Sequence, residues 1–404
     1  MRRIARYLTA FALLLACAVS WAAFPVGWSY YEVVTIPATE AVTDFPVLIA
    51  NLPSEVFAHA NADGSDVRFT VADGSVELPV EIVSWNNGAE TAEIWVNVPS
   101  LSAVSTTDVR VYYGNSGASL PAADSTYGSQ NVWPAEAKGV YHLGEAVNND
   151  AGGYHDSTAN GNDMTGTSMS IAASAGPTGM TGAQNFDGSA DYLSIASALV
   201  TSAPVTFSCW HYKDVQDPTI RYSIRVTSGS QWYAMQNWNA ILYAKVKDAA
   251  GQHQSTVTEG YGAWHYAANR YPSTTSRFAI TDATVGTENT DEHDPSGLTT
   301  TLLGESWDGA IDEVRIYSAD MGADWLLAEY EVVHNEASVT YGSEQSIGGA
   351  PAPTYRRSGS VGMLFAKFIG RSGRPVTGCS LFDNWIVPER NGSLTLCWVH
   401  MGDN

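Results

Sequence analysis

Between Trp28 and about Asn115 apolar and polar residues trade places at almost every step, and a chain written this way has few folds open to it. Val67 and Phe69 alternate with Asp66 and Arg68, and Ile94, Val96 and Val98 alternate with Trp95 and Asn97. Val109, Val111 and Tyr113 alternate in the same way with Arg110 and Tyr112. Successive side chains of a strand point to opposite faces, so a period of two describes a sheet with one face buried. The runs break at Asp73-Gly74 and Asn87-Gly88, dipeptides that suit tight hairpin turns. No amphipathic helix stands out here. The spacing predicts an antiparallel β module over residues 23–115.

Composition supports the same class. Of 404 residues only 15% are charged, while 36 are Gly, 20 Tyr and 13 Trp, a mixture that favours short strands and tight turns over helices. The length calls for two or three domains. A net charge of −22 argues against nucleic acid as a partner, because phosphate binding needs a basic surface. It also keeps an exported protein soluble and leaves carboxylates for calcium.

Residues 1–22 read as a signal peptide. Met1 to Arg6 is basic, Tyr7 to Val19 is apolar, and Ser20-Trp21-Ala22 offers small residues for cleavage after Ala22. A second reading takes Leu14-Leu15-Ala16-Cys17 as a lipobox with a lipid anchor at Cys17; the apolar stretch Val19 to Phe24 favours plain cleavage. Either way the protein is exported to the periplasm, cell surface or medium. No later segment reaches the length of a membrane-spanning helix. Cys209 lies in an apolar strand pattern, Cys379 and Cys397 are able to pair in an oxidising compartment, and no cysteines have metal-ligand spacing.

Residues 116–131 are rich in Gly, Ser, Ala and Pro and read as a connector. Strand patterning resumes over 132–345, interrupted by the polar stretches Asn148 to Thr167 and Val285 to Leu298. One helix is expected, Gly322 to Tyr330, capped by Asp324, with Leu326, Leu327 and Tyr330 on one face. Residues 346–404 form a linker and an irregular tail. From 354 onward, six basic residues stand against three acidic ones in a chain that carries 20 against 42 overall. That tail is either a small separate module or a stretch where the reading frame was lost near Tyr355. The fold class expected is all-β, two antiparallel sandwich modules followed by this tail.

Five phrases of the first module resemble an uncharacterised family of exported bacterial β-sandwich domains: TDFPVLI (43–49), GSDVRFT (64–70), LPVEIVSW (78–85), AEIWVNVPSL (92–101) and DVRVYYGN (108–115). The second module resembles a concanavalin A-like lectin/glucanase domain of the laminin-G-like kind. It does so in GVYHLGE (139–145), DSTANGND (156–163), AQNFDGSADYLSI (183–195), VTFSCW (205–210) and GAIDEVRIYSADMGADWLLAEYE (309–331). That resemblance implies a jelly roll of two antiparallel sheets, glycan binding in many relatives and a structural calcium ion in some. The modules in this order also resemble the exported front end of some TolQ/ExbB-type proton-channel polypeptides.

Alternation along Ala310 to Tyr317 puts Asp312 on one face with Val314 and Ile316, and Glu313 with Arg315 on the other. A carboxylate on an apolar face must be hydrogen-bonded, paired or on a metal. Both a calcium ion and backbone N–H bonds satisfy it, and the resemblance favours calcium. Further oxygen donors cluster at Glu145, Asp156, Asn160 and Asn162; calcium or a hydrogen-bonded loop explains them equally. A sugar site needs aromatic faces beside hydrogen-bonding groups. Trp232, Tyr233, Gln236, Asn237 and Trp238, with Trp264, make the best set, and Tyr261 and Trp307 come next.

No catalytic residue is assigned. Adjacent acids on a strand face opposite ways, and no G-x-S-x-G or H-E-x-x-H motif is present. His142, His155 and His265 are scattered. The function expected is carbohydrate recognition or adhesion at the cell surface, with a glycan or cell-envelope polysaccharide as partner. A structural role in an envelope complex, without sugar, is the alternative, and a glycoside hydrolase comes third.

Overall fold

The structure, a computed structural model, describes residues 27–347 apart from Val215 and Asp217. The expected signal peptide, Cys17, and the tail with Cys379 and Cys397 lie outside the described residues. Those described belong to one compact unit, and they are nearly all antiparallel β-structure.

The first module contributes β1 (Tyr30–Ile36), β2 (Thr43–Ile49), β3 (Arg68–Val71), β4 (Glu77–Leu78), β5 (Val80–Asn86), β6 (Thr91–Ser100) and β7 (Thr107–Tyr113). The second begins with β8 (Ala137–Tyr141), β9 (Thr165–Thr167), β10 (Gln184–Asp187) and β11 (Tyr192–Ile195). It continues through β12 (Val205–Lys213), β13 (Arg221–Thr227), β14 (Trp232–Trp238), β15 (Ile241–Lys247) and β16 (Gln252–Thr258). β17 (Trp264–Ser273), β18 (Ser276–Thr281), β19 (Thr284–Val285), β20 (Thr300–Leu303) and β21 (Asp308–Tyr317) complete it. Two short strands follow, β22 (Thr340–Tyr341) and β23 (Gln345–Ser346). Helices α1 (Ser54–His59) and α2 (Gly322–His334) are the only α-helices among the described residues.

These strands make four layers. A six-stranded sheet, β22-β1-β7-β3-β4 with β23 beside β1, forms the outside of the first module. A three-stranded sheet, β2-β6-β5, packs against it through Ile94, Val96 and Val98. The opposite face of β6 is also covered, by the second module, with Glu93 and Trp95 buried and Asn97 half-buried. The covering layer is a seven-stranded sheet, β10-β21-β12-β17-β18-β19 with β8 on β21; we call it the covered sheet. The last layer is the seven-stranded β16-β15-β14-β13-β20-β11-β9, the open sheet. Phe207, Cys209, Ile311, Val314 and Ile316 of the covered sheet meet Ile224, Met235, Leu242 and Leu303 of the open sheet in a second apolar core.

The first core does not stop at the module boundary. Val140, Trp210, Tyr266, Ala268 and Tyr317, on the outer face of the covered sheet, join the cluster that holds Phe45, Ile94 and Trp95. Strands β22 and β23 return from the far end of the chain to pair with β1, so the first module's sheet is completed by residues beyond the second module.

Two local expectations change. β21 pairs Ser208 with Arg315 and Trp210 with Asp312, a register shift that leaves an extra residue in β21, and Glu313 sits there with φ of 48°. A bulge of this kind resets the alternation. Asp312 is therefore on the side of its partner Trp210, facing the first module, and not on the side of Val314 and Ile316. Glu313 is turned to that same side, where it meets His142 and Arg315. The helix expected over Gly322 to Tyr330 runs on to His334, with Met321 as its N-cap and Asp324 in its first turn making no cap bond. Its buried face is Leu326, Glu329, Val332 and Val333, with Leu327 and Tyr330 only half-buried.

Candidate functional site

Two places in the fold carry chemistry: the open sheet's outer face, and a charged cluster sealed between the modules.

Among the described residues no layer lies over the open sheet. Trp232, Gln236 and Trp238 lie on its outer side, because residues paired across antiparallel strands share a side and β14 pairs without a break to β15, but Gln236 is buried there. They sit along one strand, so no turn separates the two indoles. Trp238 is 42% exposed, at the rim of a shallow depression lined by Lys213, Arg221, Asn239 and Asp308, and its Nε1 donates to the Pro218 carbonyl at 2.8 Å. Trp232 is half-buried under Lys247, whose Nζ is 4.5 Å from the ring, and the Arg225 guanidinium lies 5.9 Å away. Arg225 also pairs with Glu305 at 2.8 Å, and Lys245 donates to Gln236 at 3.1 Å. An indole platform ringed by amides and charges is what sugar rings require, with their C–H faces and hydroxyl edges.

The rest of the expected ligand set is elsewhere. Tyr233 points into the sandwich against Tyr271, with ring centroids 5.0 Å apart. Asn237 also points inward and donates from Nδ2 to Glu259 at 2.5 Å. Trp264 belongs to the covered sheet and packs edge-on to Tyr212. Trp307 is buried against His211, while Tyr261 is exposed on a loop.

The proposed metal ligands divide into two groups. Asp156, Asn160 and Asn162 do meet in one loop. Both Asp156 oxygens accept bonds there, from Val140 N–H, Thr158 N–H and hydroxyl, and Asn162 N–H. Asn160 and Asn162 donate to the carbonyls of Ala137 and Lys138. Glu145 Oε1 accepts the His155 N–H at 2.9 Å. Asp312 belongs to the other group, between the modules.

That second group is the most charged interior in the molecule. His142, from the strand end after β8, is hydrogen-bonded through Nδ1 to Glu313 and lies 3.8 Å from Glu93 Oε1; its Nε2 is 3.5 Å from Glu81. Glu93 Oε2 accepts the N–H and hydroxyl of Thr181 at 2.9 and 2.8 Å. Glu81 accepts the Trp133 Nε1 proton at 2.7 Å. Arg315 bonds Glu313 at 3.0 Å and is stacked on Trp95 and Trp133, 4.6 and 5.1 Å from the ring centres. Beyond it, Glu329 of α2 accepts from Ser208, Tyr266, Tyr317 and Trp325 at 2.6 to 2.9 Å.

Burial and the charge of Glu313 push Glu93 up to about 7. Burial works against a charged His142, but Glu313 and Glu81 outweigh it and hold the imidazole well above its ordinary value. Asp312 is pushed up by burial and then by Glu313 and Glu93; its Oδ1 accepts the Glu313 N–H and its Oδ2 has no hydrogen-bond partner. So two adjacent acids of one strand do share a face, against the expectation. The first module lies over them, and no polysaccharide reaches them.

Residues 63–128 match a family model described as a domain of unknown function (DUF2341). The match takes in four of the five first-module phrases and runs into the connector. No curated protein matches the chain. Among solved structures, domain 4 of AbnA, a GH43 extracellular arabinanase from Geobacillus stearothermophilus in complex with arabinotriose, is 19% identical. The likeness covers 48% of this chain and 99% of that one, with a TM-score of 0.38. The binding domain of botulinum neurotoxin serotype D is 10% identical over 48% of this chain and 52% of its own, with a TM-score of 0.37. That of botulinum neurotoxin DC in complex with SialylT is 11% identical over 49% and 52%, with a TM-score of 0.38. This chain spans about half the length of those toxin chains.

Sequence reasoning passed over Glu93, Glu81, Arg315 and Glu329. One hint was available: Trp95 falls on the face of β6 that alternation assigns to solvent, and a tryptophan there asks for a covering layer. Another buried acid, Glu259, was also missed; it bonds His211 at 2.9 Å and Thr281 at 3.1 Å. Burial opposes its charge, yet His211 and then Lys213 hold it down at about 2.

Proposed function

We propose that this chain is an exported binding protein whose second module recognises carbohydrate on the outer face of the open sheet, at the end marked by Trp238. The observation that carries it is an exposed indole at the rim of a depression lined by Lys213, Arg221, Asn239 and Asp308, on a large sheet face of the second module over which no layer lies among the described residues. The face continues along β14 to Trp232, about 20 Å away at 3.3 Å per residue, room for a short oligosaccharide. Catalysis has no part in this reading. Calcium in the Asp156 loop, with Glu145, Asn160 and Asn162, belongs to it as a structural ion, and calcium should then raise the melting temperature over that in chelator.

The test is a broad glycan array probed with the protein in calcium and again in chelator. Trp238→Ala should weaken any binding found by about tenfold or more, since ~1.4 kcal/mol is one decade and a stacked aromatic is worth about that. Its melting temperature should stay at the wild-type value, because the ring is on the surface. Binding unchanged by both Trp238→Ala and Trp232→Ala would remove the site from this face.

A second reading, a rigid spacer in an envelope complex, has one observation behind it: the two modules share a core and cannot swing against each other as independent beads. Silence on the array in both conditions would favour it.

A further inference from the structure

The carboxylates around His142 exceed the cations available to them. Glu81, Glu93, Asp312 and Glu313 surround the imidazole, and Arg315 is the other cation in reach, itself shared with Glu329. All of these side chains are buried or nearly so. Uncompensated charge in such a place is expensive. Glu93, His142 and Glu313 each offer one ligand atom within 4.8 Å of the other two. We propose that these three residues hold a divalent first-row metal ion of the zinc or manganese kind, and that the ion clasps the first module to the second.

Three features beyond the acids support this. The fully buried Asp312 carries an Oδ2 without a hydrogen-bond partner on the face where the three ligands lie. Two ligands are oriented from behind, Glu93 by Thr181 on its far oxygen and Glu313 by Arg315, while the buried Nε2 of His142 makes no hydrogen bond and has Glu81 3.5 Å away. A carboxylate behind a metal-bound imidazole sets its tautomer and raises its basicity. Thr181, whose N–H and hydroxyl bond Glu93, also lines a cleft of about 470 Å3 together with Asn51, Glu90, Ala92 and Met180. One nitrogen and several carboxylate oxygens suit zinc or manganese better than calcium, which prefers oxygen alone. This site is separate from the Asp156 loop and from the open sheet, and it stands whether or not a sugar binds.

The test is a calorimetric titration of the EDTA-stripped full-length protein with Zn2+ and with Mn2+, with Ca2+ as control. One equivalent of at least one of the two should bind, with protons released and the melting temperature raised by several degrees. Glu81→Gln, which touches no metal, should weaken that binding about 10–100-fold. Glu93→Gln, which keeps an acceptor for Thr181, should abolish it, while Trp238→Ala should leave it unchanged. Wild-type protein that binds neither ion saturably, or binding of equal strength in Glu93→Gln, would overturn the site and leave the cluster a proton-held clamp.

Discussion

At the scale of single residues, the molecule is organised by buried acids whose partners come from distant strands. Glu259 is the simplest case. Water is withdrawn from it, which penalises its charge, but His211 and Lys213 more than restore that charge and its folded pKa falls to about 2 from the usual 4.5. A carboxyl depressed on folding adds stability above its unfolded value and loses that contribution as pH falls toward the folded one. We therefore expect the melting temperature to drop between about pH 4.5 and 2, and Glu259→Gln to flatten that limb while lowering stability at pH 7. Melting curves of both proteins across this range are the check; parallel curves would mean Glu259 is not the group responsible. Nothing in the phrase around Glu259 announces this role. Its partners lie on β12, β14 and β18, and only folding brings them within reach.

At the scale of elements, the bulge in β21 and helix α2 decide what lies between the modules. Strict alternation would have sent Asp312 into the sandwich; one extra residue at Glu313 turns it to the other face, beside Glu313 and Arg315. The helix was legible in sequence to within one turn, but its purpose was not. Glu329 sits on its buried face and gathers four hydrogen bonds and Arg315, so the helix is fixed to the covered sheet by one carboxylate. Removing one member of a buried pair costs about 3–5 kcal/mol, because the other charge is left without its counter-ion. Glu329→Gln should lose stability on that scale, read from the urea midpoint. A loss no greater than that of a surface Glu→Gln change would show that Arg315 finds its compensation elsewhere.

At the scale of the whole molecule, the modules do not behave as beads on a string. One apolar cluster runs from Phe45 and Trp95 of the first to Trp210 and Tyr317 of the second, and strands from the far end of the chain close the first module's sheet. Neither module is able to open without exposing part of the other's core. We expect calorimetry on the full chain to give a single cooperative transition. Two resolved transitions would mean that the shared cluster contributes little.

The amino-acid sequence alone determined the class of fold, the strands β3, β6 and β7 and the turns at Asp73-Gly74 and Asn87-Gly88, because period two and the Asn-Gly and Asp-Gly dipeptides act within a few residues of themselves. It also named Trp238 and Trp232, and it placed Asp156, Asn160 and Asn162 in one loop. It did not determine which faces are wet. Alternation says that a strand has two sides; what covers each side is settled by a layer that arrives from elsewhere in the chain. Trp95 and Glu93 read as solvent-facing until the covered sheet lies on them, and Tyr233 and Asn237 read as ligands until the sandwich closes around them. Burial and the pairing of charges depend on contacts between residues far apart in sequence, and only the tertiary structure supplies those.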